Sequence, residues 1–170
     1  DYNQWAREGM LDSVTNYECH GDLYNSHNEH NYYKIAGCLD REFGPNGKYK
    51  NIFTYNFLDN HDVNRIREML KNDNDLENIY TLLYTMPGIP SVYYGSEWAL
   101  LGSRTAHSDK NLRPALDLNN IPFPNLSLCR HIRRLGCIKR GLAAFRFNNY
   151  ENVLVRNEQL VYKRHCDGQT

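Results

Sequence analysis

A chain of 170 residues with 41% hydrophobic and 24% charged residues has the composition of an ordinary folded domain with a real core, which excludes a disordered segment. Lys+Arg and Asp+Glu number 20 each, so there is no basic surplus to collect phosphates and no acidic field to collect cations. No apolar run reaches the length of a membrane span and no signal peptide is seen, while the chain begins at Asp1 with no Met, so its true N-terminus is expected to lie outside these residues.

In chain order, residues 11–17 read as a short strand, and Ser26-His27-Asn28-Glu29 offers a capping box for a helix. That helix carries Tyr32, Ile35, Ala36, Leu39 and Phe43 at helical spacing and stops at Gly44-Pro45. Residues 51–58 form the next strand: six of the eight positions from Ile52 to Asp59 are apolar, aromatic or β-branched, a pattern for burial on both faces. Helical spacing follows in Val63, Ile66, Met69 and Leu70, breaks at Asn72-Asp73-Asn74-Asp75, and resumes through Leu76, Ile79, Tyr80 and Leu83 to Pro87-Gly88. Residues 89–94 are a third strand. The polar, Pro-containing stretch 95–125 is a loop of functional length. Ser127 opens a helix with Leu128, Ile132, Leu135 and Ile138, finished by Lys139, Arg140 and Gly141. Residues 144–147, 153–155 and 160–162 then alternate as short strands around Asn148-Asn149 and Asn157-Glu158. An α/β region over 1–141 is therefore expected to precede the start of an antiparallel β domain over 142–170.

The strand over 51–58 delivers Asn60-His61-Asp62 to a turn between strand and helix. In parallel α/β folds, and above all in (β/α) barrels, side chains converge on a substrate at the C-terminal ends of strands, which makes these three residues a candidate site. On spacing alone Asp62 reads equally well as a helix N-cap, and His61 as a packed histidine. Arg65 could pair with a carboxylate in the cleft, but reads first as a solvated helix charge. Asp73/Asp75 and His27/His30 read as solvated surface, because neither pair has the ligand count of a calcium loop or a zinc site. The five cysteines, Cys19, Cys38, Cys129, Cys137 and Cys166, are odd in number and scattered, so reduced thiols in a cytoplasmic protein are the simplest account. The 13 tyrosines suit sugar stacking and barrel packing alike.

The segment Phe57-Leu58-Asp59-Asn60-His61-Asp62 resembles the F-x-x-N-H-D signature of the α-amylase family of glycoside hydrolases, at the end of that family's seventh barrel strand. Residues 86–97 (MPGIPSVYYGSE) are similar to its eighth strand and lead-in, residues 11–17 to its sixth strand, and Leu112-Arg113-Pro114-Ala115-Leu116 to a segment of its final loop. These matches fall in the family's order and cover nearly the whole chain. One departure bears on substrate preference: many members have Gly-Asp-Glu where this chain has Gly95-Ser96-Glu97.

The resemblance implies an α/β fold, part of a TIM-type (β/α)8 barrel over about strands six to eight, followed by the beginning of an antiparallel β domain. Three β/α units cannot close an eight-stranded barrel, so the chain is expected to be a fragment of a longer one. The implied enzyme cleaves α-glucosidic bonds in starch or maltodextrins by a retaining mechanism, with nucleophile and general acid on the fourth and fifth strands; the 170 residues alone are then expected to be inactive. Asp62 is cast as the transition-state stabiliser bonding the hydroxyls of the sugar being cleaved. His61 is cast as a second hydrogen-bonding group to that sugar, and Asn60 as the residue that orients the turn beneath it. The implied partner is an α-glucan; neither nucleic acid nor membrane is expected. No cofactor is required for the chemistry, and although calcium is common in the wider family, these residues carry no complete site. The alternatives are a transglycosylase or isomerising member of the family, or a noncatalytic sugar-binding or subunit homologue.

Overall fold

The computed structural model describes residues 1–121 and 124–166. Pro122 and Phe123 of the expected loop, and 167–170 of the expected β region, lie outside the described residues.

The first helix, α1 (Tyr17–Asn28), has no counterpart in the sequence reading. Its stretch YECHGDLYNSHN buries Cys19, Leu23, Ser26 and His27 at helical spacing, but two of these four are polar, so a search for apolar periodicity passes over it. What starts it is Asn16, whose side-chain oxygen accepts from the Cys19 amide at 3.2 Å. The expected strand over 11–17 therefore shrinks to one parallel bridge, Thr15 to Tyr55, and Tyr17 is already helical. Ser26 opens no helix: it sits in the last turn of α1, and its carbonyl accepts from Asn31 at 2.9 Å as the chain turns through His30 at φ +50°. From there α2 (Tyr33–Phe43) follows the expected spacing, buries Ile35, Ala36, Cys38, Leu39 and Phe43, and is capped at Gly44.

β1 (Tyr55–Phe57) pairs in parallel with β2 (Ile89–Ser91) in the register Tyr55↔Ile89, Asn56↔Pro90, Phe57↔Ser91. With the Thr15 bridge on its other side, β1 is central among three parallel segments in chain order. Both strands are shorter than the expected 51–58 and 89–94, three residues each. Burial on both faces holds for Asn56 and Phe57 but not for exposed Tyr55. At Gly88, φ is +94° and a Cβ would come within 2.5 Å of Asn56 Nδ2 and 2.6 Å of the Thr54 carbonyl, so only glycine lets the chain enter β2 this close to β1.

The return helix between these strands is broken as the sequence suggests, into α3 (Ile66–Met69) and α4 (Asp75–Thr85). α5 (Leu126–Gly141) begins one residue before Ser127, because Asn125 is the cap, its side chain accepting from the Leu128 amide at 3.0 Å. Residues expected as a strand at 144–147 instead form a 3₁₀ turn, Ala143–Arg146. Among the described residues no strand pairs with them, and the turn satisfies the Phe145 amide locally through the Leu142 carbonyl at 3.2 Å. β3 (Glu151–Arg156) and β4 (Gln159–Lys163) form the expected hairpin, closed by Arg156↔Gln159 around Asn157-Glu158, with a register shift between Asn152 and Leu154.

Helices cover the parallel segments. Leu23 of α1, Ile35, Leu39 and Phe43 of α2, Ile79 and Leu83 of α4, and Leu128, Ile132 and Leu135 of α5 meet Leu58 and Met86 in one apolar cluster. Each such buried side chain contributes roughly 1.5–3 kcal/mol. The hairpin joins that cluster through Tyr150, Leu160 and Tyr162, and its turn carbonyl at Asn157 accepts from the Tyr32 amide at 2.9 Å. Among the described residues no helix is long and apolar enough to cross a membrane.

Candidate functional site

Beyond β1 the chain reaches Asp59, which is 2% exposed. Its Oδ2 accepts from the Ile66 amide at the start of α3 (2.8 Å) and from the Ser96 hydroxyl in the loop after β2 (2.6 Å), so one carboxylate ties three elements together. Burial pushes the Asp59 carboxyl up from its ordinary range, against the opposing pull of those two hydrogen bonds and the Arg65 charge. Ser96 acts in both senses, donating to Asp59 and accepting from Arg65 Nη1 at 3.0 Å.

Arg65 is fully buried, which corrects its reading as a solvated helix charge. Its guanidinium donates to the carbonyls of Tyr94 (2.5 Å) and Leu112 (2.9 Å) and lies 4.3 Å from the Tyr93 ring centroid and 5.1 Å from that of Tyr94. The long loop makes this enclosure. Gly102 accepts from the Arg65 amide at 2.9 Å, and a Cβ on it would lie 3.0 Å from Arg65 Cγ and 2.6 Å from the Asn111 carbonyl.

On this support stands the turn Asn60-His61-Asp62. Asn60 Oδ1 accepts from the amides of Asp62 (2.8 Å) and Val63 (3.1 Å), while its Nδ2 donates to the Tyr17 hydroxyl at 3.0 Å. Asp62 caps no helix: the N-cap position of α3 is Arg65, and the Ile66 amide goes to Asp59. Asp59, three residues earlier, does what spacing offered to Asp62. The Asp62 carboxylate instead faces outward with its side chain 48% exposed, Oδ2 lying 3.2 Å from His61 Nε2 and Oδ1 3.4 Å from Arg113 Nη2. Arg113 also donates to the His61 carbonyl (3.2 Å) and pairs with Asp109 (2.7 Å). A carboxylate, an imidazole and a guanidinium thus share one open face, able to accept from and donate to a polyhydroxylated ligand. A cleft lined in part by Leu101, Ser103, Asn111 and Ala115 adjoins it at Arg113.

The sequence reading attached no role to Arg113, and it missed the support from Arg65 and the partners of Asp59. Arg113 lies 51 positions beyond Asp62 in an aperiodic loop, where only the resemblance of the segment around it gave any signal. The other charged pairs separate. His27 is buried, its Nδ1 2.9 Å from the Leu23 carbonyl and its ring edge-on to Tyr32, so it is not solvated surface, and burial lowers its pKa. His30 is exposed, and Asp73 pairs with Arg67 at 2.9 Å. Among the described residues, the one grouping of three side chains able to hold a metal is Cys19, Cys38 and Glu42.

The family model for the alpha amylase catalytic domain matches residues 2–122. The cyclomaltodextrin glucanotransferase of Bacillus licheniformis is 24% identical over 108 residues, covering 64% of this chain and 14% of that protein. An alpha-amylase of Niallia circulans is 26% identical over 108 residues, covering 64% of this chain and 19% of that protein. The crystal structure of alpha-amylase from H. orenii superposes with a TM-score of 0.76 at 22% identity, over 94% of this chain and 38% of that one. An Anoxybacillus alpha-amylase gives 0.79 at 20% identity, over 96% of this chain and 35% of that one. The chain thus spans less than a fifth of these curated relatives and under two-fifths of these solved chains. This likeness identifies the α/β layer as part of a (β/α)8 architecture.

Proposed function

Because the chain belongs to the alpha-amylase catalytic-domain family, we propose that the protein containing it cleaves α-glucosidic bonds in starch or maltodextrins with retention, and that Asp62 stabilises the transition state. The observation that carries this reading is the Asp62 carboxylate itself, half exposed beyond a parallel strand, bonded to no backbone amide among the described residues and flanked by His61 and Arg113. A group with only a structural task would be satisfied by the fold, as Asp59 is.

Retaining glycoside hydrolysis proceeds through an oxocarbenium-like transition state flanked by a carboxylate nucleophile and a carboxylic acid donor. In this reading those two groups come from the fourth and fifth strands of the barrel, while the segments around Thr15, β1 and β2 are strands six to eight. Asp62 accepts hydrogen bonds from hydroxyls of the sugar, and these strengthen as the ring flattens and positive charge develops. His61 donates to the same sugar. Asn60 holds the turn that aims both, with its Oδ1 on two backbone amides. The chemistry requires no cofactor.

Asp62→Asn in the full-length protein tests the assignment. Loss of a charge-assisted interaction made mainly in the transition state costs about 3–5 kcal/mol, lowering kcat by about two to four orders of magnitude with a smaller change in KM. Since Asp62 caps nothing, circular dichroism and unfolding should be unchanged. A folded variant that keeps most of its kcat refutes the role. A second reading, glucan transfer rather than hydrolysis, is supported by the relatives named cyclomaltodextrin glucanotransferase. Cyclic or elongated products from maltoheptaose, in place of glucose and maltose, would select it.

A further inference from the structure

Away from the Asn60-His61-Asp62 turn, α1 and α2 bring two thiols and a carboxylate together in the core. Cys19 and Cys38 are buried with their Sγ atoms 2.9 Å apart, and Glu42, one turn beyond Cys38, has Oε1 3.5 Å from the Cys38 Sγ. Glu42 is buried too, and its Oε2 accepts from Asn16 Nδ2 at 2.8 Å. We propose that Cys19 and Cys38 form a reversible disulfide cross-link between α1 and α2, with Glu42 as the internal base for its formation.

The geometry favours this bond over a metal ion held by the same three groups. Zinc bound tetrahedrally at about 2.3 Å would force the two sulfurs to about 3.8 Å, whereas a disulfide draws them in to about 2.05 Å. A disulfide adds no atom to the packed apolar cluster these sulfurs share with Leu23, Ile35 and Leu39, whereas an ion would have to be fitted into it. Zinc also needs a fourth ligand, and among the described residues the grouping ends at three. The hydrogen bond with Cys38 and then burial push the Cys19 thiol well up, and burial pushes the Glu42 carboxyl up as well. A thiol in such a place needs a neighbouring acceptor to become a nucleophile.

With hydrogen peroxide as oxidant the step balances. Glu42 takes the Cys38 proton as the sulfur attacks one peroxide oxygen; the O–O bond breaks, and the departing oxygen leaves with that proton as water. Cys38 is now a sulfenic acid. The Cys19 sulfur attacks it, the S–S bond forms, the S–O bond breaks, and the hydroxyl leaves with the Cys19 proton as a second water. Two thiols and one peroxide have become one disulfide and two waters.

The test is peptide mapping of the full-length protein after hydrogen peroxide treatment, alkylation in denaturant, and trypsin digestion without reduction. Cleavage after Arg7, Lys34 and Arg41 puts the two cysteines on separate peptides, 8–34 and 35–41. The expected product joins them, lighter than their sum by two hydrogen atoms, and dithiothreitol separates them. Oxidation should raise the thermal midpoint by a few degrees, and Cys38→Ala should abolish that rise. Glu42→Gln should reach the same cross-link about tenfold more slowly, with a changed pH profile of the rate. Recovery of both peptides alkylated after oxidation would overturn the cross-link, as would one equivalent of zinc per chain by elemental analysis with both thiols protected. Glu42→Gln closing at the wild-type rate would overturn the role of Glu42. The wild-type peptide map decides the first point even if Cys38→Ala fails to fold.

Discussion

Asp59 should tolerate asparagine and not alanine, because what the fold takes from it is an acceptor rather than a charge. Both hydrogen bonds to this residue end on the same oxygen, from the Ile66 amide at 2.8 Å and the Ser96 hydroxyl at 2.6 Å. Asparagine can place its carbonyl oxygen there and keep both. Burial, the largest influence on the carboxyl, raises its pKa despite the two donors and nearby Arg65, so the ionised form is held at a cost that asparagine does not incur. Asp59→Asn should therefore change unfolding free energy at neutral pH by at most about 1 kcal/mol. Asp59→Ala orphans two buried donors at about 1–2 kcal/mol each, for a total of about 2–4 kcal/mol. It should also lower kcat/KM by about a hundredfold, because the turn that aims Asp62 loses its anchor. The sign of the pH dependence follows from the raised pKa: the stabilisation from Asp59 is fully present below the unfolded carboxyl pKa and is lost as pH rises through the folded one. The wild type should thus lose ground to Asp59→Asn as pH rises from about 4, the ordinary aspartate value. Urea unfolding of the full-length protein and its two variants across that rise measures all of this. If asparagine proves as damaging as alanine, the charge opposite Arg65 holds the site together and the acceptor argument fails.

Two further outcomes are expected. Arg113→Ala removes the donor to the His61 carbonyl and the cation beside Asp62, but these are exposed contacts, so unfolding free energy should shift by less than about 1 kcal/mol while kcat/KM falls roughly tenfold; equal losses in stability and activity would mean that Arg113 only braces the loop. The 170 residues expressed alone should release no glucose or maltose from maltoheptaose, since the nucleophile and acid of the proposed mechanism lie on other strands, and turnover at ordinary enzyme rates would sink the role assignments.

The sequence by itself determined what depends on neighbours along the chain. The apolar spacing of α2, α4 and α5, the break between α3 and α4, and the two-residue turn of the β3–β4 hairpin are local patterns, and each is legible in the residues that form it. So is the delivery of Asn60-His61-Asp62 to a strand end, because the switch from a buried apolar run to helical spacing occurs within that stretch. Local pattern could not show α1, whose helix is anchored by Asn16 and by packing on α2 more than by its own periodicity. It could not tell which carboxylate serves α3, since Asp59 and Asp62 flank the same turn and only the folded backbone aims the Ile66 amide at one of them. Arg65 looked solvated because the carbonyls that hold it, at Tyr94 and Leu112, arrive 29 and 47 positions later. Cys19 and Cys38 looked scattered because their 19-residue separation becomes contact only when two helices pack side by side. Burial, charge pairing and sulfur contact depend on distance in space, and across such separations only the closed tertiary structure sets that distance.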